Sequence, residues 1–167
     1  ATAGSDFLAC VGVAWESTTA PAAAAEIRVV LPRTALVLGA QGALPALLPT
    51  ARLGLGGPIA GGRQWWSWIH EDDVGGLILH ALENETLSGP VNLTTPNPTR
   101  QRDFARALGR VLGRPAFMPL PGFAMRLIVG EFADGIIRAP RLSAARALDS
   151  GYRFKFPELE TALHDLL

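Results

Sequence analysis

The chain has 167 residues, enough for one ordinary domain or a domain with a small appendage, and 49% of them are hydrophobic, so a substantial core is expected. Lys plus Arg and Asp plus Glu balance at 15 each, which leaves no net field to steer the molecule towards nucleic acid or an anionic membrane. The longest uncharged run, 34–51, is interrupted by Gly39, Gly42, Pro45 and Pro49, so it does not read as a membrane span, and no secretory signal is visible.

The single cysteine, Cys10, has no companion for a disulfide or a metal cluster, which points to a reducing cytoplasm and a buried, inert thiol. In the surrounding SDFLACVGVAWE, Phe7, Val11, Ala14 and Trp15 recur at helical spacing behind Ser5 as an N-cap, predicting a first helix. EIRVVLPRTALVLG is a nearly continuous aliphatic run, the pattern of a strand buried on both faces of a parallel sheet. Pro32 cannot donate to a ladder, so the strand should loosen or end near it. Arg33 and Thr34 then stand at the carboxyl end, the side on which open α/β sheets take ligands. A surface salt bridge is the plainer role for Arg33.

Residues 40–62 read as a short helix around Leu44 to Leu48 followed by a glycine-rich loop. A G-x-G-x-x-G fingerprint fails at Ile59, and the looser set Gly54, Gly57 and Ala60 neither follows a strong strand nor opens a helix. In GGRQWWSWIHEDDVGG an extended backbone places Trp66 and Trp68 on one face, Trp65 and Ser67 on the other. One face fills the core, and the other covers a second domain or lines a pocket. Val74, Leu77, Ile78, Ala81 and Leu82 then form a helical stripe, with Glu71, Asp72 and Asp73 in the first turn as caps and dipole partners. His70 and those acids are consecutive, so their side chains diverge and a shared metal is disfavoured. His80 reads as a partly exposed helix residue and His164 as a surface one.

LSGPVNLTTPNP predicts a strand over 91–95 between two turns. TRQRDFARALGRVLGRP is the clearest helix: Thr99 caps it, Phe104, Leu108, Val111 and Leu112 form its apolar face, and Gly113 with Pro115 stops it. Three further helical pieces are expected at roughly 122–133, 140–150 and 157–167, with GYRFKF between the last two. Neither G-x-S-x-G nor a Walker A sequence occurs, and Tyr152 and Lys155 are one residue too close for Tyr-x-x-x-Lys. The outcome is a helix-rich α/β chain with two convincing parallel-type strands, too few for a doubly wound sheet.

RVVLPRTALVLG, RLGLGGPIAGGRQWWSWIHEDDVGGLILHALEN, LSGPVNLTTPNPTRQRDFARALGRVLGRPAFMPLP and GYRFKFPELETAL together resemble the atypical short-chain dehydrogenases described as nucleoside-diphosphate-sugar epimerases or cell-division-inhibitor-like proteins. The resemblance runs from about Asp6 to the end. It implies the C-terminal part of a Rossmann-type parallel sheet with a cleft-lining segment over 1–98, then a helix-rich C-terminal substrate domain over 99–167. It further implies an NADP-dependent oxidoreductase or epimerase acting on a small molecule such as a nucleotide sugar, in a cytoplasmic setting. Family members are roughly twice as long. The half that carries the glycine-rich fingerprint and the catalytic tyrosine segment is absent here, so this chain is expected to be inactive alone, with no catalytic residue assigned and the missing N-terminal half as its partner. By the same resemblance Arg33 and Thr34 contact NADP, while Trp66, Trp68 and His70 line the substrate cleft. Glu71 stands where the family often has Ile or Val, and Asp73 caps and orients. The alternative is a non-catalytic binding or interaction module with the tryptophan segment as its exposed patch. A metal hydrolase centred on His70 ranks behind both.

Overall fold

The aliphatic run expected to form one strand is divided at Ala35 between two sheets. The Ala35 amide donates to the Leu93 carbonyl at 3.0 Å, whereas the next amide, of Leu36, donates to the Ser67 carbonyl at 3.1 Å. A computed structural model describes residues 4, 7–41, 43–123, 137 and 139–167. In chain order its elements are α1 (Phe7–Ser17), α2 (Ala20–Ala24), β1 (Val30–Thr34), β2 (Leu36–Leu38), α3 (Leu44–Arg52), β3 (Trp65–Trp66), β4 (Trp68–His70), α4 (Glu71–Glu83), β5 (Gly89–Leu93), β6 (Thr99–Arg100), α5 (Gln101–Val111), α6 (Ala145–Asp149) and α7 (Leu159–Leu166).

β1 pairs in parallel with β5, from Val30 opposite Gly89 to Thr34 opposite Leu93. β2 pairs in parallel with β4, and β3 pairs antiparallel with β6. Pro32 lies inside β1 rather than ending it, so Arg33 and Thr34 are that strand's last two residues. Leu38 is wholly buried while Arg33 stays in solvent, the opposite facing that an odd spacing of five gives in extended backbone.

α5 forms the face its sequence predicts. Phe104 and Leu108 are buried, and with Leu38, Trp66, Trp68, Leu159 and Leu163 they belong to one core cluster that draws on both sides of residue 98. A second cluster joins Ile69, Leu77, Leu93 and Ala147. Thr99 does not cap α5: it is paired with Trp66 in β6, and Arg100 is the N-cap residue without a side-chain cap bond. Backbone carbonyls do the capping instead, Gln64 accepting from Gln101 N at 3.0 Å and Gly62 from Arg102 N at 3.1 Å. Gly113, at φ +62°, ends the helix as expected.

Several expectations are corrected. Cys10 is exposed, not buried, because the packing of α1 leaves much of its surface open: Phe7 is 78% and Trp15 74% exposed. On α4 the predicted stripe is half covered, with Leu77 buried and Ile78 and Leu82 exposed. The helix expected over 140–150 is confined to α6, since Ser67 Oγ holds the backbone ahead of it, donating to Pro140 O at 3.3 Å and accepting from Leu142 N at 2.9 Å. α3 extends to Arg52 with Pro49 inside it, and α7 starts at Leu159. The helix expected over 122–133 lies outside the described residues beyond Phe123.

Candidate functional site

Arg33 and Thr34 close β1 on its carboxyl edge, opposite Asn92 and Leu93. The guanidinium grips Glu16 of α1 with two bonds, Nε to Oε1 at 2.6 Å and Nη2 to Oε2 at 2.7 Å. Those hydrogen bonds hold the Glu16 carboxyl below its ordinary pKa and raise Arg33 above its own. Both side chains are accessible, so the pair is screened and exchangeable. The sequence thus places Arg33 correctly at the strand end, and its partner comes from a helix that spacing could not connect to it.

The three tryptophans go to three environments. Trp66 packs edge-on against Phe104, ring centroids 4.9 Å apart, and lines an apolar cavity of about 320 Å³ with Leu47, Ile59, Leu108 and Leu120. Trp68 is fully buried, and its Nε1 has no hydrogen-bond partner in the described structure. Its carbonyl accepts from Thr95 N at 2.7 Å, tying β4 to the segment after β5. Trp65 is partly exposed beneath two guanidiniums, with Arg100 Cζ 3.8 Å and Arg141 Cζ 4.9 Å from its ring centroid.

His70 is 1% exposed and belongs to the interior rather than to the wall of that cavity. It is the N-cap of α4, its Nδ1 accepting from Asp72 N at 3.1 Å, which puts the proton of the neutral ring on Nε2. The ring stacks on Phe156 at 3.9 Å between centroids. Nε2 lies 3.4 Å from Asp165 Oδ2 but is not aligned to hydrogen-bond it, so that contact is an ion pair only if the ring gains a second proton.

The acids that follow do not cap α4. Glu71 Oε2 accepts from Ala40 N at 3.1 Å, and Asp72 Oδ2 accepts from Lys155 Nζ at 2.6 Å, a bond that lowers the Asp72 pKa and raises that of Lys155. Asp73, fully buried, accepts from Tyr152 Oη at 2.9 Å, Lys155 N at 2.8 Å and Phe156 N at 2.9 Å. Burial first, then the Asp73 contact, push the Tyr152 phenol pKa up. His70 and the three acids are each taken up by hydrogen bonds to other groups of the fold, so they do not converge on one ion. Among the described residues no group of three His, Cys, Asp or Glu side chains is arranged to hold a metal.

Sequence reasoning passed over Gln101. It is 2% exposed on the cavity wall, its Oε1 accepting from Ile59 N at 2.9 Å. The signal was available: Gln101 is in helical phase with Phe104, Ala105 and Leu108, a polar side chain on an apolar stripe.

Comparison with known proteins places this geometry. The YfhF epimerase family protein of Bacillus subtilis (strain 168) is 38% identical over 167 residues, covering 100% of this chain and 55% of that protein. A crystal structure of human epimerase family protein SDR39U1 (isoform 2) with NADPH superposes with a TM-score of 0.80 at 38% identity, over 84% of this chain and 48% of the other. The chain corresponds to the C-terminal portion of epimerase family proteins. It spans about half the length of the family members it matches. A family model described as a domain of unknown function (DUF1731) matches residues 120–166. The UDP-glucose 4-epimerase of Thermus thermophilus, in complex with NAD, superposes at a TM-score of 0.65 over 95% of this chain and 51% of that one; at 18% identity this likeness establishes the fold alone. That fold is the Rossmann-type α/β architecture of the family, represented here by its later strands and the helices that follow. No helix among the described residues is long and apolar enough to cross a membrane.

Proposed function

We propose that this chain is the cleft-forming half of an NADP-dependent oxidoreductase or epimerase, inactive until joined to the half that carries the dinucleotide fingerprint and the proton-transfer tyrosine. The observation that carries the reading is Arg33 with Thr34 at the carboxyl end of a parallel strand, in a chain 38% identical to a protein crystallised with NADPH. The residues present fit the cofactor. Arg33 already holds the two oxygens of Glu16 in a planar fork, and a phosphate offers the same acceptors with more charge. NADP, when bound, supplies hydride exchange. This chain's part is to anchor a phosphate through Arg33, present Thr34 beside it and exclude water with the aromatic wall around Trp66.

In this reading residues 1–98 complete the cofactor sheet, 99–167 form the substrate-side domain, and the substrate is a small molecule of the nucleotide-sugar class held between the halves. Trp66 is the best supported wall residue. Trp68 and His70 act one layer behind it, holding β4 and the start of α4 in place. The lone unpaired Cys10 fits a reducing, cytoplasmic compartment.

NADPH titration of this chain, and of the chain fused behind the N-terminal half of the Bacillus subtilis relative, tests the proposal. The fusion should bind and the short chain should not. Tight binding by the short chain, or equal binding by the fusion and its Arg33→Ala variant, overturns it.

A second reading, a non-catalytic interaction module, is favoured by the uncovered face of α1, where Phe7, Val13 and Trp15 are exposed. It predicts a chain that binds a protein partner and whose fusion to the other half still fails to bind NADPH.

A further inference from the structure

Trp65 belongs neither to the main core cluster nor to the apolar cavity wall, yet two side chains are organised around it. Arg100 reaches it by register, standing opposite Trp65 across the β3–β6 ladder with Nη1 donating to the Arg63 carbonyl at 2.5 Å. Arg141 reaches it because Ser67 Oγ fixes the backbone on both sides, through Pro140 O and Leu142 N. The guanidinium carbons end 3.8 Å and 4.9 Å from one indole centroid. Contact with the ring restrains each guanidinium, and the N–H groups other than Arg100 Nη1 carry no hydrogen bond among those described.

The cluster is uncompensated. Among the described residues neither Arg100 nor Arg141 has a carboxylate in ion-pair range, whereas Arg33, Arg102, Arg106 and Arg110 each have one. An indole face attracts cations but does not cancel their mutual repulsion. The first two amides of α5 are occupied by the Gln64 and Gly62 carbonyls, so the donors at this spot are the guanidiniums themselves. Arg141 also borders an open cavity of about 330 Å³, whose walls among the described residues include Pro96, Ser143, Ala144 and Leu148 and no acid. Pro96 follows closely on the end of β5, so this cavity opens beyond the carboxyl end of a parallel strand, the edge on which such sheets take ligands.

We propose that Arg100 and Arg141, held on Trp65, form a binding site for an oxyanion, the phosphate or carboxylate group of a small-molecule ligand. Arg141, at the mouth of the cavity beside Pro96, supplies the contacting N–H groups, Arg100 adds its charge from the same indole, and the rest of the ligand lies in that cavity. Trp65 is the positioning residue that holds both planes. The site does not depend on the cofactor reading and is present in this chain by itself.

Calorimetric titration of the 167-residue chain at low ionic strength with inorganic pyrophosphate and, separately, with citrate tests the site. Saturable one-to-one binding of at least one anion is expected, weakened about tenfold or more by Arg141→Met and by Arg100→Met and eroded by added salt. The stronger of the two anions identifies phosphate or carboxylate as the natural group. Trp65→Leu should weaken binding and Trp65→Phe should restore most of it, which a merely structural role would not require. Arg106→Met, whose side chain pairs with Asp103, is the control at unchanged affinity. Thermal melts of every variant separate misfolding from lost contacts, and Arg141→Lys, which keeps the charge without the fork, stands in for any Met variant that does not fold. Failure of both anions to bind at millimolar concentration, or equal losses in the control and the two arginine variants, overturns the proposal.

Discussion

The phenol of Tyr152 donates to Asp73 Oδ1 at 2.9 Å across 79 positions of sequence. The same buried carboxylate accepts two backbone amides of the 152–156 segment, so one side chain at the start of α4 fastens the strand-like stretch between α6 and α7. Asp73→Ala removes one acceptor and strands three donors, and a loss of about 3–5 kcal/mol of unfolding free energy is expected. Asp73→Asn keeps the shape but turns an amide group towards donors, with an expected loss of about 2 kcal/mol. Urea denaturation at unchanged m measures both.

Tyr152 also gives stability an alkaline limit. Its folded pKa is raised, chiefly by burial and then by Asp73, above an unfolded value of about 10. Where the unfolded chain has released this proton the native state still holds it, so this group's stabilisation is complete below about pH 10 and is lost as pH rises towards the folded value. As the protein's single tyrosine, Tyr152 makes the test clean. Tyr152→Phe should begin about 1 kcal/mol less stable at neutral pH and decline less steeply above about pH 10, as read from unfolding curves at a series of pH values.

Two adjacent glycines of α4 should respond with opposite signs. A Cβ on Gly76 would stand 2.3 Å from Tyr152 Oη, an atom pinned by Asp73, whereas a Cβ on Gly75 meets nothing within 4 Å. Gly76→Ala should cost about 2 kcal/mol by displacing the phenol. Gly75→Ala should stabilise the protein by about 0.5–1 kcal/mol through helix propensity. Paired thermal melts decide the matter.

Phe104 anchors α5 against Trp66 and is 1% exposed. Phe104→Ala should cost about 3–5 kcal/mol, and loss of the near-ultraviolet circular dichroism of Trp66 should accompany it.

Glu16 competes with any anion for Arg33. In the fusion to the missing half, Glu16→Gln should raise NADPH affinity several-fold at low salt and leave the thermal midpoint nearly unchanged, because the pair is solvent-exposed. An affinity equal to that of the parent fusion would show that Arg33 is not the phosphate anchor.

The legible parts of this molecule are those whose cause is local. The apolar stripe of α5 reads directly from its 3.6-residue period, and its end reads from Gly113, whose positive φ glycine tolerates. The carboxyl-end position of Arg33 follows from Pro32, although that proline weakens β1 without ending it. The helix at α1 was legible too, but the exposure of Cys10 was not, because burial requires a second surface at that position and Cys10 stands on an open part of α1. The capping role expected of the EDD acids fails for a related reason, although all three do lie in the first turn of α4. A carboxylate in a first turn satisfies the dipole rule whatever else it does, and only the fold brought Ala40, Lys155 and the 152–156 backbone close enough to claim these side chains instead.

By itself the sequence determined the α/β class, the strong helix, the shortage of parallel strands and the family resemblance, because periodicity, turn residues and motif order are properties of neighbours along the chain. Tertiary structure alone decided that Trp65, Trp66 and Trp68 part company into a cationic clamp, a cavity wall and the core. It also made His70 the buried N-cap of α4, and it gave Arg33 to Glu16. Each of those outcomes depends on which distant group arrives at contact distance, and charge or hydrophobicity at one position does not encode the identity of a partner far along the chain.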